Sequence, residues 1–377
     1  MLTAILEGMP AGIPLEEENI NAELRRRQKG YGSGGRMQIE KDKIRITSGL
    51  MNGRTTGGPI ALLVENRDFK NWKERDITPL TTPRPGHADL TGAIKYGYKE
   101  LRLSLERASA RETTMRVAVG AICRKFLAQF GIEIGGYTTQ IGDVVTQFDD
   151  NGDYHERFTT AEANDVRCPH PESADAMRAA IRQVKIDKDT LGGVFEVVAL
   201  NVPPGLGSHV HYDRKLDAKI VGAMVSIQAM KGAEIGEGFA NAGKRGTEVH
   251  DEIHLENGSL HRSTNRAGGL EGGVSTGDPI IVRVAMKPIS TVLQALGSVN
   301  LATGESEPTT YERSDFCALP RAVPVGEAML AIVLADALME KLGGDSLDEM
   351  KPRFETLRQA RLDDLPMDNV EWRFGYE

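Results

Sequence analysis

Phe195-Glu196-Val197-Val198-Ala199-Leu200-Asn201-Val202-Pro203-Pro204-Gly205 is an apolar run rich in β-branched residues that ends in a proline-glycine turn, and it reads as a strand running into a loop. A helical pattern from about 215 to 227 follows, and then Thr276-Gly277-Asp278-Pro279-Ile280, a turn that opens another strand. The same order occurs near the start. Ala4-Ile5-Leu6-Glu7-Gly8-Met9-Pro10-Ala11-Gly12 is a short apolar run with the same kind of ending, residues from about 16 to 28 are helical in pattern, and Thr56-Gly57-Gly58-Pro59-Ile60 repeats the turn. Chance agreement of short Gly/Pro turns is the competing explanation. The repeated order predicts a single domain over 1–377 with a weak internal repeat, about 1–65 and 190–285.

Outward from these units, 37–40 and 43–47 alternate apolar and polar residues about Lys41-Asp42, which predicts a β-hairpin. Pro79, Pro83 and Pro85 make 66–92 a long irregular loop of the kind that usually carries function. Helical patterns at 101–130, 174–185, 325–342 and 347–360 complete an α+β protein with helices packed on mostly antiparallel sheet.

Glycine is the informative excess: 41 in 377 residues, about 11% against a norm of about 7%, implies many tight loops. A net charge of -8 argues against a chain that coats nucleic acid or an anionic membrane, so any basic site is local. Cys123, Cys168 and Cys317 have no paired spacing, which gives neither a disulfide framework nor a zinc ribbon and suits a reducing cytoplasm. Residues 1–6 lack the basic flank of a signal peptide, and the apolar run 328–335 stops at Asp336, short of the ~20 residues of a membrane span. A soluble, cytoplasmic protein is expected.

The least ordinary segment is Ser104-Leu105-Glu106-Arg107-Ala108-Ser109-Ala110-Arg111-Glu112-Thr113. On a continuous helix Arg107 and Arg111 share a face, with small residues between them that admit an anionic ligand. Guanidinium groups bind carboxylate and phosphate through paired hydrogen bonds. A solvated face with Glu106 and Glu112 as partners is the other reading. Arg25-Arg26-Arg27 and Lys29 run into the glycine-rich stretch Gly30-Tyr31-Gly32-Ser33-Gly34-Gly35-Arg36, whose amides suit oxyanions, but no nucleotide P-loop is present. Gly268-Gly269-Leu270-Glu271-Gly272-Gly273 likewise lacks the spacing of a dinucleotide fingerprint. His87 lies in Arg84-Pro85-Gly86-His87-Ala88-Asp89, a setting for proton transfer. His250 and His254, with His209 and His211, raise a zinc hydrolase, although Asp251 stands where the His-Glu-x-x-His pattern has glutamate; no metal is expected. A non-enzymatic anion or nucleic-acid binder using 25–36 is a further alternative.

Taken together, Arg-Pro-Gly-His-Ala-Asp at 84–89, Glu-Arg-Ala-Ser-Ala-Arg-Glu-Thr at 106–113, Met-Lys-Pro-Ile-Ser-Thr at 286–291 and Arg-Ser-Asp at 313–315 resemble the chorismate synthase family. The resemblance runs from Leu2 to about Leu342. It implies a β-α-β sandwich with pseudo-symmetric halves, a homotetramer, and the 1,4-anti elimination of phosphate from 5-enolpyruvylshikimate 3-phosphate to chorismate, with reduced FMN required and no net redox change. It assigns FMN to Arg107, Ala108, Ser109, Gln228, Ala229, Gly272, Lys287, Pro288, Ile289, Ser290, Thr291 and Arg313, and substrate to Arg36, Arg84, Arg111 and Arg313. His87 and Asp315 are the implied catalytic residues, His87 at the flavin's carbonyl end and Asp315 beside its N5, which takes the C6 proton. Arg27 is the implied NADP contact; Ser33 stands where relatives often carry a second arginine for it, and reliance on an external flavin reductant is expected. Relatives begin with a strand bearing Gly-Glu-Ser-His-Gly, whose histidine is proposed to protonate the departing phosphate. This sequence offers no residue for that role, so an N-terminally truncated product or a chain of impaired catalysis is expected.

Overall fold

A computed structural model describes residues 1–33, 42–66, 76–146, 148, 152–309 and 314–373. The expected positions Arg36 and Arg313 and the first arm of the expected hairpin, 37–40, lie outside the described residues.

The first unit begins with the strand Leu2–Leu6, turns through Pro10 and Gly12, and forms the helix Glu17–Gln28. It returns as the strand Ile44–Ser48, passes a short hairpin, and ends in the strand Ile60–Val64. Ile60–Val64 lies in the middle, antiparallel to both others. Among the described residues, strand Ile44–Ser48 pairs with Ile60–Val64. The second unit follows the same order: strand Gly193–Leu200, helix Leu216–Val225, strand Met230–Ile235 and strand Ile280–Met286, the last again in the middle. Strands Glu133–Ile141 and Val144–Val145 extend that sheet to five, all antiparallel.

The agreement extends to single hydrogen bonds. Thr55 Oγ1 donates to Pro10 O at 2.6 Å and accepts from Ile13 N at 3.0 Å, while Ser275 Oγ donates to Pro203 O at 2.7 Å and accepts from Leu206 N at 2.8 Å. Gly12 N donates to Thr55 O and Gly205 N to Ser275 O, each at 2.9 Å. In both units a buried hydroxyl one residue before Thr-Gly-x-Pro satisfies the backbone groups that the proline-glycine turn leaves without a ladder.

The helices Thr113–Leu127 and Leu319–Leu342 pack against each other. The first touches strand Leu2–Leu6, and the second packs on strands Glu133–Ile141 and Gly193–Leu200. They cross closely because residue 120 is glycine: a Cβ there would lie 2.4 Å from Ala328 Cβ. Leu319–Leu342 starts earlier than its periodicity predicts and contains Pro324. Pro324 has no N–H for the carbonyl of Pro320, and Arg167 Nη1 donates to that carbonyl at 2.7 Å instead. This is the described helix long and apolar enough to cross a membrane, yet 72% of its most apolar window is buried inside the fold. Its Glu327, fully buried, accepts hydrogen bonds from Arg26 and Arg124 on the two helices beside it. Burial raises the Glu327 carboxyl, but the charges of Arg26 and Arg124 outweigh that and hold it below its ordinary value. The mixture of helix layers and antiparallel sheet is α+β.

Candidate active site

The proline-rich loop ends at Asp89, the first residue of the helix Asp89–Tyr96. Asp89 is completely buried and gathers its neighbours: Arg84 Nε donates to Oδ2 at 2.9 Å, Arg84 Nη2 to Oδ1 at 3.1 Å, and His87 Nδ1 stands 2.5 Å from Oδ1. Burial alone would raise the Asp89 carboxyl; the hydrogen bonds from His87 and Arg84, with the Arg84 charge, overcome it and hold the group well below the usual carboxylate range. Arg84 Nη1 donates to Thr291 Oγ1 at 2.8 Å, which joins this loop to Lys287-Pro288-Ile289-Ser290-Thr291. The two segments meet a second time where Lys287 Nζ donates to Gly86 O at 2.5 Å. Gly86 has φ +76°, so the turn favours glycine, and a Cβ there would sit 3.1 Å from Lys287 Nζ.

Gln228-Ala229 reaches the same place. Ala229 is left-handed at φ +68°, a strained position for a residue with a Cβ, and its carbonyl accepts Lys287 N at 3.0 Å. Gln228 Nε2 donates to Glu112 Oε2 at 2.7 Å, while its Oε1 is buried without a partner among the described residues. Against the pull of burial, hydrogen bonds from Gln228 and Arg116 keep the Glu112 carboxyl below its ordinary value, and the charge of Arg107 adds to this.

The expectation of one helix over 101–130 is corrected here. Helix Arg102–Ala108 stops at Ser109, which is extended (φ -61°, ψ 137°), its hydroxyl accepting from Arg111 N; a 3-10 turn, Ala110–Glu112, and helix Thr113–Leu127 follow. Serine competes for backbone donors, so it ends one helix and caps the next turn. Arg107 and Arg111 therefore do not share a helix face. Arg107 is exposed and lines a shallow surface depression with Glu100, Arg102, Leu103 and Glu106. Arg111 instead turns inward to Asp42, two hydrogen bonds of 2.6 Å each. Ser104 Oγ ties the Arg107 helix to the histidine loop by donating to Ala88 O at 2.8 Å.

Asp315 is ion-paired with Arg321, whose Nε donates to Arg27 O at 3.4 Å. Its neighbour Phe316 is held on both sides: Phe316 N donates to Gly32 O and Leu191 N to Phe316 O, each at 2.9 Å. Thr190 Oγ1 then donates to Ile289 O at 2.8 Å. The turn 189–193, which in the sequence is only a glycine-rich approach to a strand, thus clasps the Asp315 segment and the Lys287–Thr291 segment together. Arg27 is buried, with Nε on Thr113 Oγ1 at 2.9 Å and Nη2 on Ala110 O at 3.0 Å, so it braces the turn that carries Arg111.

Gly272 stands apart from this network, at φ +60° in the turn between strands Leu270–Glu271 and Val274–Ser275, facing His209. His250 caps the short helix Gly246–Val249 and His254 is on the strand Ile253–Glu256, so they do not form the two-histidine face of one helix. Among the described residues no group of three or more metal-ligating side chains converges. Asp42, Asp89, Glu112 and Thr190 are the members of the cluster that sequence reasoning did not select. Asp89 and Glu112 carried a signal, their places inside the motifs at 84–89 and 106–113.

The family model for chorismate synthase matches residues 1–339. The chain is 54% identical over 374 residues to the chorismate synthase of Aquifex aeolicus, with 94% of this chain and 93% of that protein covered. It is 51% identical over 371 residues to that of Geobacillus kaustophilus, with 95% of each covered. A solved crystal structure of chorismate synthase superimposes with a TM-score of 0.75 at 47% identity, over 94% of this chain and 92% of that one. The chain belongs to the chorismate synthase family. It is a lyase of aromatic amino-acid biosynthesis that eliminates phosphate from 5-enolpyruvylshikimate 3-phosphate to give chorismate. Membership in the chorismate synthase family sets aside the zinc-hydrolase and nucleic-acid-binder readings, neither of which predicts the four ordered motifs.

Proposed function

We propose that this chorismate synthase works at the cluster formed by 84–89, 107–112, 228–229, 287–291 and 315, with reduced FMN as its cofactor. The observation that carries the reading is Gln228: its Oε1 is a buried acceptor lacking a donor among the described residues, next to the strained Ala229 and within the family's flavin segments. A reduced flavin offers N–H donors on its ring edge and hydroxyl donors on its ribityl chain, and Arg107 offers an exposed cation to its anionic end. Arg107, Ala108, Ser109, Gln228, Ala229, Lys287, Pro288, Ile289, Ser290, Thr291 and Arg313 would hold it, with Gly272 contributing from its separate turn.

When bound, reduced FMN supplies transient electron density to the substrate. The protein's own part is charge and proton placement. Arg84 and Arg111, with Arg36 and Arg313, provide positive charge for two carboxylates and the departing phosphate. Buried Asp89 and Asp42 set where the Arg84 and Arg111 guanidinium planes lie. His87 holds a proton at the flavin's carbonyl end, and Asp315, clamped by Arg321, assists loss of the C6 proton. The proposal includes a β-α-β sandwich of two related halves in a single domain, a cytoplasmic homotetramer, and flavin reduction from outside, with Arg27 acting behind any nicotinamide contact and not at it. Titration with FMN and 5-enolpyruvylshikimate 3-phosphate, followed by flavin absorbance, tests the site. Mutually dependent binding is expected, and substrate binding that leaves the flavin spectrum unchanged would place the cofactor elsewhere.

A further inference from the structure

We propose that Asp89 is a positioning residue that fixes which ring nitrogen of His87 carries the proton, leaving Nε2 as the nitrogen that faces the reaction. The inference rests on the reading of His87 as a proton-handling residue.

His87 Nδ1 lies 2.5 Å from Asp89 Oδ1. An imidazole nitrogen and a carboxylate oxygen come that close only with a proton between them, and an ionised, arginine-paired carboxylate has none to contribute. Nδ1 therefore carries it. Arg84 Nη2 stands 3.1 Å from this nitrogen and 3.1 Å from Oδ1, with hydrogen-bond geometry to both; a guanidinium only donates, and it is the much shorter 2.5 Å contact that places the ring proton between Nδ1 and Oδ1. Two donors thus converge on one oxygen. The other oxygen, Oδ2, takes Arg84 Nε at 2.9 Å and Arg84 N at 3.2 Å. Asp89 has no exposed surface and Thr291 holds the far side of Arg84, so the carboxylate does not rotate away from the ring without breaking bonds in a buried site. With Nδ1 protonated, the neutral ring presents Nε2 as an acceptor, and the imidazolium presents it as a donor.

The asymmetry of the two carboxylate oxygens makes the inference testable with Asp89→Asn. The Oδ2 position faces two fixed donors, Arg84 Nε and Arg84 N, whereas Oδ1 faces one, Arg84 Nη2, beside a ring nitrogen that can give up its proton, so the amide oxygen settles at Oδ2 and the amide nitrogen turns to His87. Nδ1 then becomes an acceptor and the proton moves to Nε2. The measurement is a two-bond 15N–1H correlation spectrum of full-length, histidine-labelled protein above the imidazole titration, with the His87 signals assigned by their loss in His87→Gln. Wild type should show the Nδ1–H form and Asp89→Asn the Nε2–H form. Turnover in Asp89→Asn should fall roughly 10²- to 10⁴-fold, as wrong-tautomer variants of Asp–His pairs do, with the Kd for FMN changed by less than about threefold. An Nε2–H pattern in the wild type overturns the proposal without need of a variant that folds, and so does an unchanged tautomer in a folded Asp89→Asn protein. Full turnover of His87→Gln would instead remove the catalytic reading of His87, while the inverted tautomer would still support Asp89's control of the ring.

Discussion

Thr190 donates its hydroxyl to the carbonyl oxygen of Ile289 at 2.8 Å, 99 residues away in sequence. Through this bond, and the pairing of Leu191 with Phe316, one glycine-rich turn holds two site segments in register. Thr190→Val keeps the shape and removes the donor, leaving a largely buried carbonyl short of a partner. A net hydrogen bond is worth about 1 kcal/mol, so FMN affinity should weaken about fivefold with little loss of global stability. Fluorescence titration of FMN beside a urea melt separates the two effects.

Arg107 is an exposed cation of the flavin segments, and its interaction with Glu112 is through charge alone among the described residues. Arg107→Ala should therefore leave the fold intact and raise the Kd for FMN by roughly ten- to a hundredfold, the effect of losing a charge-assisted hydrogen bond of about 1.5 to 3 kcal/mol. Unchanged affinity would take Arg107 out of the site.

For His87→Ala and Asp315→Ala the expected result is retained flavin and substrate binding with turnover lowered roughly 10²- to 10⁴-fold, the usual contribution of a proton-transfer group. Stopped-flow measurement of chorismate formation with chemically reduced flavin reads the step directly. Wild-type rates in either variant would refute the role given to that residue.

Glu327 links three helices through Arg26 and Arg124. Glu327→Ala removes the fully buried one of the two carboxylates that Arg26 and Arg124 share, leaving Glu23, and should cost about 3 kcal/mol, read as a lowered urea midpoint. The pH dependence has a definite sign. The folded-state carboxyl is held below its ordinary value of 4.5, so its contribution is complete above that value and is lost as pH falls toward the lowered one. Glu327→Gln should flatten the acid side of the stability curve.

Gly120→Ala tests the helix crossing. Alanine is favoured in a helix by about 1 kcal/mol, but its methyl would lie 2.5 Å from Ala328 Cα and 2.9 Å from Ala328 O, backbone atoms that no rotamer change relieves. Overpacking of this kind costs about 1 to 3 kcal/mol, so the clash should win and the melting temperature should fall. A melting temperature at or above the wild-type value would show that the helices separate freely.

The α+β class, the repeated strand-turn-helix order and the motif-bearing segments are all legible in the sequence, because alternation, helical period and Gly/Pro turn chemistry act over neighbouring residues. The break at Ser109 is a near miss: the apolar period continues through 101–130, and only the competition of a serine hydroxyl for Arg111 N ends the helix. The pairing of strand Ile44–Ser48 with Ile60–Val64 is not legible in the same way, since a separate short hairpin lies between the two strands in sequence and no local turn signal joins them.

By itself, the sequence determined which segments carry charge and chemistry, and that they belong to one family of enzymes. Tertiary structure alone decided what each charged group faces. Arg111 meets Asp42, 69 residues away, Arg26 meets Glu327, 301 residues away, and the Asp315 segment is held against 30–33 and 190–191. No local pattern encodes such partners. A buried guanidinium or carboxylate must find its opposite wherever packing brings one, because leaving it unpaired away from water costs more than any local preference supplies.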